Sequence, residues 1–182
     1  MSAQDRARWD ERYADAEYPP IALPSFFAPF ADLFPTKGLA LDLACGRGAA
    51  SVWLASRGMD VLGLDISPVA IGSARALASA AGVAQRCRFE IIDLDDGLPP
   101  GTPVDVLLCN KFRDDRLDAA VIARLAPGGL LATSALSEVG ATPGPFRAAP
   151  GELTHAFVDL DLIADGEADG AAWVLARKPS SA

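Results

Sequence analysis

Two acids and two glycines, Asp42, Gly46, Gly48 and Asp65, stand at the spacing of a nucleotide site. Asp42 lies in an apolar run, Leu39-Ala40-Leu41-Asp42-Leu43, that reads as a short strand. Gly46 and Gly48 follow in a loop of small residues, and Ala49 to Arg57 is rich in helix formers and stops at Gly58. A strand, a glycine loop and a helix in that order form a nucleotide-binding crossover. The glycines let the backbone turn sharply and approach a ligand with no Cβ in the way, and the unpaired N–H groups at the helix start face what binds there. Met59 to Asp65 reads as the next strand, closed by a carboxylate 19 residues beyond Gly46. Nucleotide-binding folds place there the acid that holds a ribose diol. The spacing predicts a ligand that contains adenosine.

These residues need a sheet to hold them, and the rest of the chain supplies one. Residues 5 to 18 read as a helix with Trp9 and Tyr13 on one face, either packed on the core or lying over the ligand. Pro19, Pro20 and Pro24 break the chain, and Ser25 to Phe34 reads as a short buried helix. After Asp65, Ser67 and Pro68 start a helix as N-cap and first helical residue, running to about Ala81. Strands are expected at 87–92, 104–109 and 130–136, with a helix at 116–125 and the turn Pro127-Gly128-Gly129 between the last two. A Gly/Pro-punctuated loop at 137–149 carries Phe146 and Arg147, and a short helix follows at 152–157. Residues 158–164 and 171–176 read as a closing antiparallel hairpin around an acidic turn at 165–170. The expected fold is a three-layer α/β/α sandwich: a Rossmann-like, seven-stranded, mostly parallel sheet with an antiparallel C-terminal hairpin. In such sheets ligands sit beyond the carboxyl ends of the strands, where Ala44 to Gly48, Asp65, Asp93 and Cys109-Asn110 fall.

Composition narrows the class. With 182 residues, 51% of them hydrophobic, one domain with a substantial core is expected. A net charge of −8 argues against a nucleic-acid partner. No apolar stretch is long enough to span a membrane, the first residues lack a signal-peptide pattern, and the three cysteines have no metal-type spacing, which together suggest a cytoplasmic protein.

Two adenosine ligands compete. A dinucleotide site wants G-x-G-x-x-G, and Ser51 stands where the third glycine would be. Asp42 would repel a pyrophosphate, whereas a ligand with a cationic amino group would favour a carboxylate there. Asp42 could also simply cap the loop amides.

The run Asp42-Leu43-Ala44-Cys45-Gly46-Arg47-Gly48 resembles the D-x-G-x-G-x-G motif of class I S-adenosylmethionine-dependent methyltransferases, with Ala44 in place of the first glycine. Asp65-Ile66-Ser67-Pro68, Asp93-Leu94, Leu125-Ala126-Pro127-Gly128-Gly129 and Trp9-Asp10-Glu11-Arg12-Tyr13 extend the resemblance over residues 5 to 178. Within that superfamily the chain is most similar to small members of the tellurite-resistance and thiopurine type. The resemblance implies a single domain, 1–182, with an N-terminal helical lid (1–38) and a Rossmann-like core (39–182). It implies that Asp42 holds the methionine end of S-adenosylmethionine over a floor of Ala44, Cys45, Gly46 and Gly48. Asp65 would take both ribose hydroxyls, Ile66 would lie against the adenine, and Asp93 with the Leu94 backbone would read the adenine edge. Cys109 and Asn110 would line the channel near the sulfonium, Trp9 and Tyr13 would close it, and Arg113 would meet an anionic group. Ala44 is expected to be tolerated if its φ is negative.

Methyl transfer from a sulfonium demands alignment and exclusion of water, and a soft nucleophile needs no base. No catalytic residue and no metal ligand is assigned; His155 reads as a surface or helix-end residue, and Cys45 and Cys109 as structural thiols. The run Asn110-Lys111-Phe112-Arg113 lacks the N-P-P-F/Y signature of amino-methylating enzymes. That absence and the short chain lean towards a small-molecule acceptor, with S-adenosylhomocysteine as product, in a monomer or homodimer. An NAD-dependent oxidoreductase and a non-catalytic S-adenosylmethionine-binding scaffold are the alternatives.

Overall fold

The computed structural model describes residues 3–14, 19–142 and 147–180. Phe146, singled out in the 137–149 loop, lies outside the described residues. The chain forms two compact units, residues 1–97 and 98–182.

In the first unit, α1 (Ala3–Ala14) is followed by β1 (Leu39–Leu43), α2 (Ala49–Ser56), β2 (Asp60–Asp65), α3 (Pro68–Ala80) and β3 (Cys87–Ile91). The expected helix at 25–34 shortens to a 3-10 segment, Ala28–Leu33. Pro29 is placed early, and Phe30 leaves helical geometry, which prevents a longer helix. β2 pairs in parallel with β1 on one side and β3 on the other, with Leu43 opposite Leu64 and Asp65 opposite Ile91. This register brings the carboxyl ends of the strands level. Val52 of α2, Ile71, Ala74, Leu77 and Ala78 of α3, and Phe89 of β3 form one buried cluster. The small residues of α3 let it approach the sheet closely. Ser67 starts α3 as expected, accepting a hydrogen bond from the Ala70 amide at 3.1 Å.

In the second unit, β4 (Val104–Cys109), α4 (Asp118–Arg124), β5 (Leu125–Ser137), β6 (Arg147–Ala148), α5 (Glu152–Ala156), β7 (Asp161–Ala168) and β8 (Ala171–Arg177) follow in order. β5 runs parallel to β4 and β6 and antiparallel to β8, which pairs antiparallel with β7. Among the described residues most strand pairings are therefore parallel, with an antiparallel C-terminal hairpin, as expected. The two-residue β6 is a strand beyond the seven foreseen.

Boundaries differ from the sequence reading most at β5 and at the closing hairpin. β5 begins at Leu125, so the Pro127-Gly128-Gly129 turn is absorbed into the strand, with a register shift against β4 between Val104 and Val106. The hairpin turn is not 165–170: Asp165 to Ala168 belong to β7, and the turn tightens to Asp169 and Gly170, both at positive φ. Gly166 looked like a turn residue but sits opposite Trp173, whose indole would lie 2.5 Å from any Cβ added there. The glycine makes room for a ring rather than a turn.

Candidate functional site

The first unit brings together the glycine loop, Asp42 and Asp65, with Asp93 just past the neighbouring end of β3. Asp42, on β1, is 1% exposed, and Ser51 of α2 donates its hydroxyl to Asp42 Oδ2 at 2.5 Å. Burial raises the Asp42 pKa to about 7 and outweighs the Ser51 hydrogen bonds that favour the charged form, with the nearby Asp65 charge raising it further. Ser51 carries no signal as a site residue in the sequence beyond occupying the third-glycine position.

Asp65 closes β2 at 7% exposure and binds two backbone amides at once: Gly46 N donates to Oδ2 at 2.8 Å, and Ser67 N donates to Oδ1 at 2.9 Å. Burial raises its pKa, and the Ser67, Gly46 and Ile66 amides partly counter that by favouring the carboxylate. Each oxygen keeps further lone-pair capacity beyond its amide. Ser67 is a junction, since its Oγ accepts from Ala70 N and donates to Asp10 Oδ1 of α1. Asp10 stood in the quoted N-terminal run without a role; it is the residue that anchors α1 on the start of α3.

The loop residues divide by what they face. Tyr13 covers Gly46, where an added Cβ would sit 3.1 Å from the tyrosine hydroxyl. Trp9 stacks on Tyr13 with centroids 5.8 Å apart, and the guanidinium groups of Arg8 and Arg12 lie 5.7 and 5.2 Å from the centre of its ring. Burial first, and then the Asp65 charge, push the Tyr13 pKa up to about 12, against the opposing charges of Arg12 and Arg47. Gly48 has a φ of +78°, and a Cβ there would meet Ala74 Cβ at 2.7 Å, so this glycine clears α3 rather than a ligand. Ala44 corrects an expectation: its φ is +50°, in the left-handed region, so the alanine is strained where the motif has glycine.

The Cys45 thiol has a structural environment, in keeping with its residue type. The Cys45 amide donates to Leu64 O at 2.9 Å, its carbonyl accepts from Gly48 N at 3.0 Å, and its thiol packs against the helical core cluster. Burial raises its pKa well above the thiol range. The Cys45 thiol therefore serves the packing of the loop. Ile66 is buried, and Asp93 caps a 3-10 turn, its Oδ1 accepting from Asp95 N at 3.0 Å, with Leu94 buried beside it.

Cys109, Asn110 and Arg113 lie in the second unit, at and beyond the carboxyl end of β4. Cys109 is buried, and Asn110 Oδ1 accepts from Ser134 Oγ at 2.8 Å. Arg113 is not an open anion site. Its Nη1 and Nη2 donate to both oxygens of Asp118 at 2.6 and 2.9 Å, and its Nε donates to Glu152 at 2.8 Å. Two carboxylates neutralise a guanidinium that is only 10% exposed. Arg147 is likewise structural, with Nη1 donating to the carbonyls of Ser137 and Gly170. His155 is exposed in the last turn of α5. Among the described residues no cluster could hold a metal ion, and no helix is long and apolar enough to cross a membrane.

A methyltransferase-domain family matches residues 40–129, the stretch from β1 through the start of β5. Trans-aconitate 2-methyltransferase of Methylobacterium radiotolerans is 34% identical over 161 residues, covering 74% of this chain and 59% of that protein. The chain thus spans about three-fifths of that relative's length. Among solved structures, TehB from Haemophilus influenzae superposes with a TM-score of 0.77 at 19% identity, covering 93% of this chain and 67% of that one. Magnesium protoporphyrin IX methyltransferase from Synechocystis PCC 6803, solved with S-adenosylhomocysteine bound, gives 0.71 at 16% identity, covering 97% and 94%. These likenesses establish the fold, and with the family match they agree with a loop whose first acid is buried and whose second is braced by the loop's own amide. Residues 40–129 match a methyltransferase domain, carried on the fold that S-adenosylmethionine-dependent methyltransferases share.

Proposed function

We propose that the chain transfers a methyl group from S-adenosylmethionine to a small-molecule acceptor, acting as a single domain in the cytoplasm. The observation that carries this reading is Asp65: a rigid carboxylate, fixed by the Gly46 and Ser67 amides, that has an acceptor oxygen for each hydroxyl of a ribose. The other donors suit the same cofactor. Asp42 offers a buried carboxyl to an ammonium group, whose charge would draw it into the ionised form. Asp93 offers an acceptor at the next strand end, and the glycine loop provides close backbone approach beneath the amino-acid end. Trp9 and Tyr13 exclude water above Gly46.

When bound, the cofactor supplies an electrophilic methyl group on a sulfonium that leaves as a neutral thioether. The chain's task is then to align an acceptor that is already nucleophilic, such as a sulfur, selenium or tellurium centre or an oxyanion. The absence of N-P-P-F/Y after Cys109 favours this over amine methylation. A dinucleotide is disfavoured, because its pyrophosphate would meet a buried carboxyl at Asp42.

The test is calorimetric titration of S-adenosylmethionine, S-adenosylhomocysteine and NAD into the purified protein and into Asp65→Ala, with circular dichroism to check folding. Micromolar binding of the two sulfur ligands, lost in the variant, is expected. Binding of NAD alone would overturn the reading.

A further inference from the structure

The C-terminal hairpin leaves one side of a strand open. Among the described residues β7 lies at the edge of its sheet, paired with β8 on one side. Its eight residues therefore turn alternate N–H and C=O groups outward, away from β8. Natural edges tend to be short, covered or blunted by charge. At its start β7 is neither short nor covered: Asp161, Leu162 and Ile163 are exposed in succession, so both faces of the strand are open there. Leu162 is 51% exposed, and Val158, just ahead of the strand, is 69% exposed. Leu162 stands opposite the small Ala176, and Ile163 is the residue that the register shift leaves without a counterpart on β8.

Charge selects what can cover this edge. Between Ala148 and Ala176 the chain has six acids, Glu152, Asp159, Asp161, Asp165, Glu167 and Asp169, and no Lys or Arg. That local charge of −6 sits in a chain whose total is −8. The two arginines bounding the stretch are directed at backbone: Arg147 donates to the Ser137 and Gly170 carbonyls, and Arg177 to the Gly128 carbonyl. Glu167 is used within the hairpin's surroundings, accepting from Ser137 Oγ and Gly151 N at 2.6 and 2.8 Å. Asp159, Asp161, Asp165 and Asp169 are exposed. They do not gather around a metal, since no group of described acids could hold one. A second copy of β7 would set acids against acids, which opposes self-pairing.

We propose that the outer edge of β7 is a docking strand for an extended peptide segment of a partner protein, rich in Lys or Arg and in aliphatic residues, which adds to the sheet beyond β7. The segment's backbone pairs with the outward N–H and C=O groups of β7. Its cations meet Asp161 and Asp165, and its aliphatic side chains cover Leu162 and Ile163. The backbone bonds supply affinity, and the acids supply selectivity for a basic strand over an acidic one. The segment is bound and not chemically changed. Nothing in this depends on the cofactor, so its failure leaves the methyltransferase reading untouched.

The experiment titrates the full chain into a short fluorescein-labelled peptide that alternates Lys with Val, read by fluorescence anisotropy. Two control peptides accompany it: one with Glu in place of Lys, and the Lys peptide N-methylated along its backbone, which keeps the charge and removes the N–H donors. Micromolar binding of the Lys peptide, weakened by added salt, is expected. Both controls should bind about tenfold more weakly or worse, and so should the Lys peptide with Asp161→Lys/Leu162→Lys protein. Circular dichroism checks the fold of that variant, and amide exchange tests the site on wild type without it: the β7 amides should slow when the Lys peptide is present. Equal binding of the N-methylated peptide would mean charge attraction without strand addition, and overturns the proposal. So does no binding of the Lys peptide, unchanged exchange in β7 on binding, or a wild-type dimer in sedimentation that the double variant abolishes.

Discussion

Ser51 donates to Asp42 across 2.5 Å, deep at the start of α2, and is the side chain that steadies an acid raised to a pKa of about 7. The folded-state value lies above the ordinary 3.8, so the protonated acid favours the fold. Its contribution to stability is complete below about pH 4 and is lost as pH rises through about 7. Asp42→Asn removes this dependence. Urea unfolding at pH 4 and pH 8 should show the variant gaining on wild type by up to about 1.4 kcal/mol per pH unit across that window. Cofactor binding has the opposite sign, because an ammonium group requires the ionised acid. Below pH 7 the Kd of S-adenosylhomocysteine for wild type should rise about tenfold per pH unit, by calorimetry at several pH values.

Ala44 holds a φ of +50°. Relieving a left-handed alanine returns about 1–2 kcal/mol, and the added freedom of an unfolded glycine takes back about 0.5–1. Ala44→Gly should therefore be stabilising, by about 0.5–1 kcal/mol in urea unfolding. A loss of stability would show that the alanine methyl makes a packing contribution larger than its strain.

Gly48→Ala should go the other way. It combines a φ of +78° with a Cβ only 2.7 Å from Ala74 Cβ, so α3 must shift. A loss of about 2–4 kcal/mol is expected in the same assay. The companion Gly48→Ala/Ala74→Gly pair should recover the steric share and leave the backbone strain.

Asp10 and Ser67 separate docking from capping. Asp10→Ala removes the α1 anchor and leaves the Ser67 cap on Ala70 intact, whereas Ser67→Ala removes both. Both variants should shift the fluorine resonance of Trp9 in 5-fluorotryptophan-labelled protein. Only Ser67→Ala should also lose the ~1 kcal/mol typical of an N-cap.

Arg113→Ala leaves Asp118 and Glu152 without their shared cation. Unfolding stability should fall by about 1–3 kcal/mol, with S-adenosylhomocysteine affinity unchanged. A selective loss of ligand affinity would restore Arg113 to the binding site.

The local features were the ones legible in the sequence. Leu39 to Leu43, the glycine loop, Asp65 and the Ser67-Pro68 helix start depend on near neighbours, and the structure has each where its residues imply. What escaped depends on partners far along the chain or on backbone angles. Arg113 reads as a free cation until Glu152, 39 residues later, comes alongside. Gly166 reads as a turn until Trp173 lies across it. Gly48 reads as a ligand-facing glycine until Ala74 of α3 closes on it. Ala44 declares no sign of φ in its letter, and Ser51 reads as a defect in one motif when it is the partner of Asp42.

The two oxygens of Asp65 tie the amide of the glycine loop to the amide at the head of α3. One side chain thus guards two protons that belong to separate segments. When that carboxylate swings away, both amides lose their acceptor in the same instant, so their exchange with heavy water reports a single opening event. Their protection factors should rise together when a ribose diol pins the acid in place, which makes Gly46 and Ser67 a matched pair of clocks for the residence of the cofactor.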